Sequence, residues 1–125
     1  MANKKLLIIE DDLVLQRALQ EFLSAEGFDV QCASDGEVGA SKALSEDPDL
    51  ILLDIVLPKK DGYAVLTEVR SSENAKHIPI VLLTNLGSIS DVEKALELGA
   101  TTYLVKADYK LEEITAKIKD ILKMK

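Results

Sequence analysis

Short apolar runs punctuate the chain at Leu6 to Ile9, Leu50 to Leu53, Ile78 to Leu83 and Tyr103 to Val105. Each is too short for a core helix and reads as a strand, with the more polar Val30-Gln31-Cys32-Ala33 a weaker fifth. The stretches between them follow a different period. Leu15, Ala18, Leu19, Phe22 and Leu23 fall at i, i+3, i+4, i+7 and i+8, with Asp12 placed to cap that helix and Gly27 to stop it. Weaker helical patterns cover Gly36 to Leu44, Tyr63 to Arg70 and Asp91 to Leu98, and Leu111, Ile114, Ile118, Ile121 and Leu122 mark a closing helix. Strands that alternate strictly with helices predict a five-stranded parallel sheet covered on both faces, a (βα)5 doubly wound α/β fold. Burial on both faces also explains why the central strands are apolar throughout. The weak strand near Val30 belongs at an edge.

One apolar run breaks off in a way that invites chemistry. In Leu50-Ile51-Leu52-Leu53-Asp54-Ile55-Val56-Leu57-Pro58 a single carboxylate stands between aliphatic residues. The other runs end similarly: Glu10-Asp11-Asp12 follows the first, Thr84 the fourth and Lys106 the fifth. In a parallel sheet these ends share one edge, and the crevice outside the carboxyl ends of the strands is where open α/β sheets bind ligands. Clustered hard oxygen ligands, with one cysteine and one histidine in the whole chain, favour Mg²⁺ over zinc or copper. Mg²⁺ takes one or two carboxylates and leaves room for phosphoryl oxygens, and a carboxylate can itself accept a phosphoryl group. Asp54 is best placed for that. Lys106 and Thr84 offer a cation and a hydroxyl to the transferred group, and Val56 a backbone carbonyl to the metal.

Composition narrows the rest. The 125 residues suit one domain, expected to span 1–125 with no output domain behind the last helix. A net charge of −7 argues against direct binding to nucleic acid through bulk charge. Cys32 has no partner for a disulfide, nothing resembles a signal peptide, and no apolar run nears the roughly 18 to 20 residues that span a bilayer. A cytoplasmic protein without membrane insertion is expected. Cys32 reads as a small core residue and His77 as a surface residue.

The ordered set of Glu10-Asp11, Asp54 with Pro58 and Gly62 behind it, Thr84 and Lys106 resembles the response-regulator receiver domain of two-component signalling, over essentially the whole chain. The resemblance implies the flavodoxin-like strand order 2-1-3-4-5 and a phosphoryl group accepted on Asp54 from a histidine kinase or phosphotransfer protein. It implies Asp11 as a direct Mg²⁺ ligand and Glu10 as an acid acting mainly through metal-bound water. Thr84 and Lys106 would hold the phosphoryl oxygens, and Tyr103 would turn inward as Thr84 moves. The face of the fourth helix, fifth strand and fifth helix would then change its affinity for a downstream target or for a second copy in a phosphorylation-dependent homodimer. Such a protein catalyses only its own modification.

Two positions depart from the family. Ala107 follows Lys106 where a proline in a cis peptide is usual, so a trans bond is expected. Asn85 follows Thr84 where a small residue is usual; with Val56 and Leu86 it is expected to slow loss of the phosphoryl group. Two other readings compete. A phosphohydrolase with an aspartyl nucleophile needs a second acid two residues beyond Asp54, and Val56 stands there. A phosphorylation-independent interaction module does not need the full set of acids.

Overall fold

The computed structural model describes residues 3–84, 89–106 and 110–123. Five strands alternate with five helices: β1 (Lys5–Ile9), α1 (Leu13–Ala25), β2 (Asp29–Ala33), α2 (Gly36–Ser45), β3 (Leu50–Leu53), α3 (Gly62–Arg70), β4 (Ile80–Thr84), α4 (Ile89–Glu97), β5 (Thr102–Val105) and α5 (Leu111–Ile121). All neighbouring strands pair in parallel, in the order β2-β1-β3-β4-β5. The weak strand is indeed at an edge.

Side chains alternate across the sheet, and the two faces gather separate cores. Leu7, Ile9, Ile51, Leu53, Ile80 and Leu82 pack with Ala40 and Ala43 of α2, Val65, Leu66 and Val69 of α3, and Ala95 of α4. Leu6, Ile8, Leu50, Leu52, Val81 and Leu83 pack on the other face with Leu19 and Leu23 of α1 and Ile114 and Ile118 of α5. The side chains of β1 and β3 are buried on both faces apart from Lys5, as a central parallel pair requires. Cys32 is half-buried against the second core, and His77 is exposed.

Two boundaries differ from the sequence pattern. The apolar run from Ile78 enters the sheet only at Ile80, because the Ile78 amide turns back to the Ala75 carbonyl at 3.0 Å and Pro79 has no amide to give. Helix α4 starts at Ile89, two residues before the apolar period becomes visible at Asp91.

Candidate functional site

Strand register brings the charged residues together. Ile9 pairs with Leu53, so Glu10 and Asp54 leave the sheet side by side, and the Asp54 amide still donates to the Ile9 carbonyl at 3.0 Å. Thr84 pairs with Val105 at the last rung of β4 and β5, which sets Lys106 one residue beyond. The Lys106 ammonium reaches across the sheet edge to both acids, 2.6 Å from Glu10 Oε1 and 3.1 Å from Asp54 Oδ2. Carboxylate oxygens of Glu10, Asp11 and Asp54 all lie within 4.8 Å of one another. Glu10, Asp54 and Thr84 are buried, whereas Asp11 faces solvent.

The loops that carry these groups are held from below. Asp12 caps α1, its Oδ1 accepting from Val14 N at 3.0 Å and Leu15 N at 3.2 Å, while its own amide donates to Glu10 Oε2 at 3.0 Å. The expected cap is therefore also a clamp on the first acid. After Asp54 the chain turns on Pro58, whose carbonyl accepts from Lys60 N at 2.8 Å and Gly36 N at 3.2 Å. Gly62 N closes the turn on Ile55 O at 2.7 Å. A Cβ on Gly62 would lie 2.5 Å from the Asp54 carbonyl oxygen and 2.6 Å from Ile55 Cα, so no larger residue fits where α3 begins beneath Asp54.

Electrostatically the site holds more negative charge than it neutralises. Burial raises the Glu10 carboxyl from its ordinary 4.5 to about 7, with the Asp54 charge adding to the rise and Lys106 and the Asp12 amide opposing it. Burial pulls the Lys106 ammonium down, but the carboxylates of Glu10 and Asp54 outweigh it and hold the group above its ordinary value. Among the described residues Glu10 Oε1 is buried with no hydrogen bond of good geometry, although the ammonium stands beside it. An oxygen in that position, next to two further carboxylates, fits a hard divalent cation. Glu10, Asp11 and Asp54 are the residues that would hold it.

The remaining expected residues are placed less uniformly. Tyr103 lies on the edge strand β5 with 43% of its surface exposed, so its ring points away from the core in this structure. Val56 is 77% exposed beside the site, its amide 3.4 Å from Asp54 Oδ1. Asn85, Leu86 and Ala107, and with them the Lys106–Ala107 peptide, lie outside the described residues. One feature of the site carried no sequence signal: the Gln16 side chain, in the second turn of α1, donates to the carbonyl oxygens of Glu10 and Ala33. Two of its partners are backbone atoms, which no spacing of residue types reveals.

Comparison with known proteins agrees with this geometry. The sequence model of the response regulator receiver domain family matches residues 6–119. The probable transcriptional regulator ycf27 of Porphyridium aerugineum is 40% identical over 123 residues, covering 98% of this chain and 50% of that protein. The alkaline phosphatase synthesis transcriptional regulatory protein PhoP of Bacillus subtilis is 40% identical over 121 residues, covering 97% and 49%. The chain thus spans about half the length of the curated relatives it matches. Among solved structures, a putative response regulator from Chloroflexus aurantiacus superposes with a TM-score of 0.90 at 33% identity, covering 98% of this chain and 99% of that one. The receiver domain of sensor histidine kinase PA1611 from Pseudomonas aeruginosa gives 0.86 at 32% identity, with 95% and 97% covered, and carries a magnesium ion coordinated in its active-site cleft.

Proposed function

Because the chain belongs to the response-regulator receiver family of two-component signalling, we propose that Asp54 is its phosphoacceptor, charged from a phosphohistidine donor in a Mg²⁺-dependent reaction. The observation that carries this is the placement of the Asp54 carboxylate, buried at the sheet edge with Lys106 at 3.1 Å and Glu10 and Asp11 within 4.8 Å. An Asp54 oxygen attacks phosphorus, the bond from phosphorus to the donor nitrogen breaks, and the imidazole leaves with the electron pair. Lys106 neutralises charge on the phosphoryl oxygens, and the Thr84 hydroxyl donates to them. When bound among Glu10, Asp11, Asp54 and the Val56 carbonyl, Mg²⁺ supplies further positive charge against those oxygens.

The output follows from where Thr84 and Tyr103 sit. Both lie on the β4–β5 pair, so a hydroxyl drawn toward the phosphoryl group opens room on the side where the exposed Tyr103 ring can turn in. The face of α4, β5 and α5 then changes its affinity for a target protein or a second copy, a population shift biased by the covalent group. The chain acts as a cytoplasmic switch that modifies itself and turns over no other substrate; among the described residues no helix is long and apolar enough to cross a membrane. The relatives named as transcriptional regulators are about twice as long as the part this chain matches, so their regulatory output is not assigned to it.

Intact mass after incubation with acetyl phosphate tests the assignment. A single phosphoryl adduct that requires both Mg²⁺ and Asp54, and is absent from Asp54→Asn, is expected. An adduct that survives Asp54→Asn would move the acceptor elsewhere. No adduct from acetyl phosphate or from a phosphorylated histidine kinase would favour a phosphorylation-independent module.

A further inference from the structure

Glu10 and Asp11 are adjacent residues just beyond β1, and the Glu10 amide makes the last bond to the neighbouring strand, leaving the Glu10–Asp11 peptide outside the ladder. The peptide plane between them sets the direction of both side chains at once. Its carbonyl, that of Glu10, accepts from Gln16 Nε2 at 2.8 Å. The same nitrogen lies 3.2 Å from the Ala33 carbonyl and 3.2 Å from Ser34 Oγ, on the neighbouring strand end and its loop. Ala33 O also accepts from the Glu10 amide at 3.0 Å, so one carbonyl ties Gln16 and Glu10 together a second time.

Backbone and side chain of Glu10 are thus both fastened to the first turns of α1. Glu10 Oε2 accepts from Asp12 N at 3.0 Å, Asp12 O accepts from Gln16 N at 2.9 Å, and the Gln16 amide returns to Glu10 O. This closed ring of hydrogen bonds leaves the peptide between the two acids little freedom to rotate. Gln16 is half-buried, and each of the three groups it faces can accept a hydrogen bond, so a side chain without a donor cannot replace it there. The lever is geometric: Mg²⁺ demands near-ideal octahedral placement, so a small rotation of that peptide misplaces two ligands together.

Resting on the metal site proposed above, we infer that Gln16 is a positioning residue for the divalent cation, orienting the Glu10–Asp11 peptide without touching the metal. Outer partners of metal ligands typically change affinity by about 10- to 100-fold when removed. Gln16→Met keeps the length and helix preference of the side chain and removes the donor, whereas Gln16→Arg restores a donor of similar reach. Calorimetric titration with Mg²⁺ alone should show the dissociation constant rising about tenfold in Gln16→Met and returning most of the way in Gln16→Arg. At saturating Mg²⁺ the rate constant for acetyl phosphate should stay within about threefold of wild type, because the reacting groups are untouched. A Gln16→Met constant within about twofold of wild type would overturn the inference. So would a loss that Gln16→Arg fails to restore, which would assign Gln16 to packing. Should Gln16→Met not fold, Gln16→Asn, whose amide is one methylene too short to reach, carries the same comparison. Asp11→Asn serves as the reference. If it too binds Mg²⁺ as wild type does, the metal site itself is misplaced; if it loses Mg²⁺ while Gln16→Met does not, only the role of Gln16 falls.

Discussion

The two ends of the sheet treat charge in opposite ways. At the amino end two charged side chains are matched to backbone partners: Arg70 donates to the carbonyls of Gly99 at 2.8 Å, Ile78 at 2.7 Å and Lys76 at 3.0 Å, and Asp49 accepts from the Lys5 amide at 2.8 Å. These contacts close the chain where helices return to strands, and they leave the guanidinium well satisfied. At the carboxyl end, among the described residues, Glu10, Asp11 and Asp54 face a single ammonium, and one buried carboxylate oxygen lacks a well-aligned donor. Polar groups that hold a fold are satisfied within it, whereas a cluster of like charges short of partners marks a candidate binding site.

The largest expected effect comes from removing the cation on the carboxyl side. Lys106→Met leaves Glu10 and Asp54 without their shared counter-ion. The rate constant for phosphorylation by acetyl phosphate should fall by about 100-fold, the scale for losing one group that stabilises developing negative charge. Mg²⁺ should bind no more weakly than to wild type, since one competing cation has gone from the acids. A rate within about threefold of wild type would show that Lys106 only fills space, and the contrast between the two ends would lose its functional side.

Removing the cation at the other end should do the reverse. Arg70→Met strands three carbonyls that the guanidinium now serves. Denaturant unfolding should show a loss of about 2 kcal/mol, or roughly 6 °C in melting temperature, while the Mg²⁺ dissociation constant stays within about twofold of wild type. A folded, fully stable Arg70→Met would mean that water replaces the guanidinium at no cost. The amino end would then be as incompletely satisfied as the other.

The same contrast explains what was legible in the sequence. The meeting of Asp54, Glu10, Thr84 and Lys106 at one end of the sheet could be anticipated because each directly follows an apolar run, and a polar group at the end of a buried parallel strand can only emerge there. Alternation of strand and helix gave the fold class, but any ordering of the five strands alternates equally well, so the observed order came from family resemblance alone. Arg70 was illegible because its partners are main-chain carbonyls, which every residue type supplies, and Gln16 because two of its three partners are. The start of β4 was misread by two residues because Ile78 is apolar and buried like a strand residue while its amide serves a turn. Tyr103 could be assigned to a strand but not to a side of it; its exposure depends on β5 being the outer strand.

A smaller effect should appear in the metal-free protein as a pH dependence specific to the carboxyl end. Burial lifts the Glu10 carboxyl from 4.5 to about 7, so between those values the folded chain retains a proton that the unfolded chain releases. Stability must then fall as pH rises through this window, because the folded state binds more protons there. Below it Glu10 is protonated in both states, and the favourable contribution is fully present; above about 7 it is lost. Other acids add slopes of their own, so the useful quantity is the difference between wild type and Glu10→Gln, whose side chain does not titrate. That difference should change by on the order of 1 kcal/mol across the window, with the wild type losing stability relative to the variant as pH rises. Arg70→Met should leave it unchanged, since the amino end takes no part in the titration. Parallel stability profiles for wild type and Glu10→Gln would mean that Lys106 fully compensates the buried carboxylate, and the charge at the two ends would be equally well balanced before any metal binds.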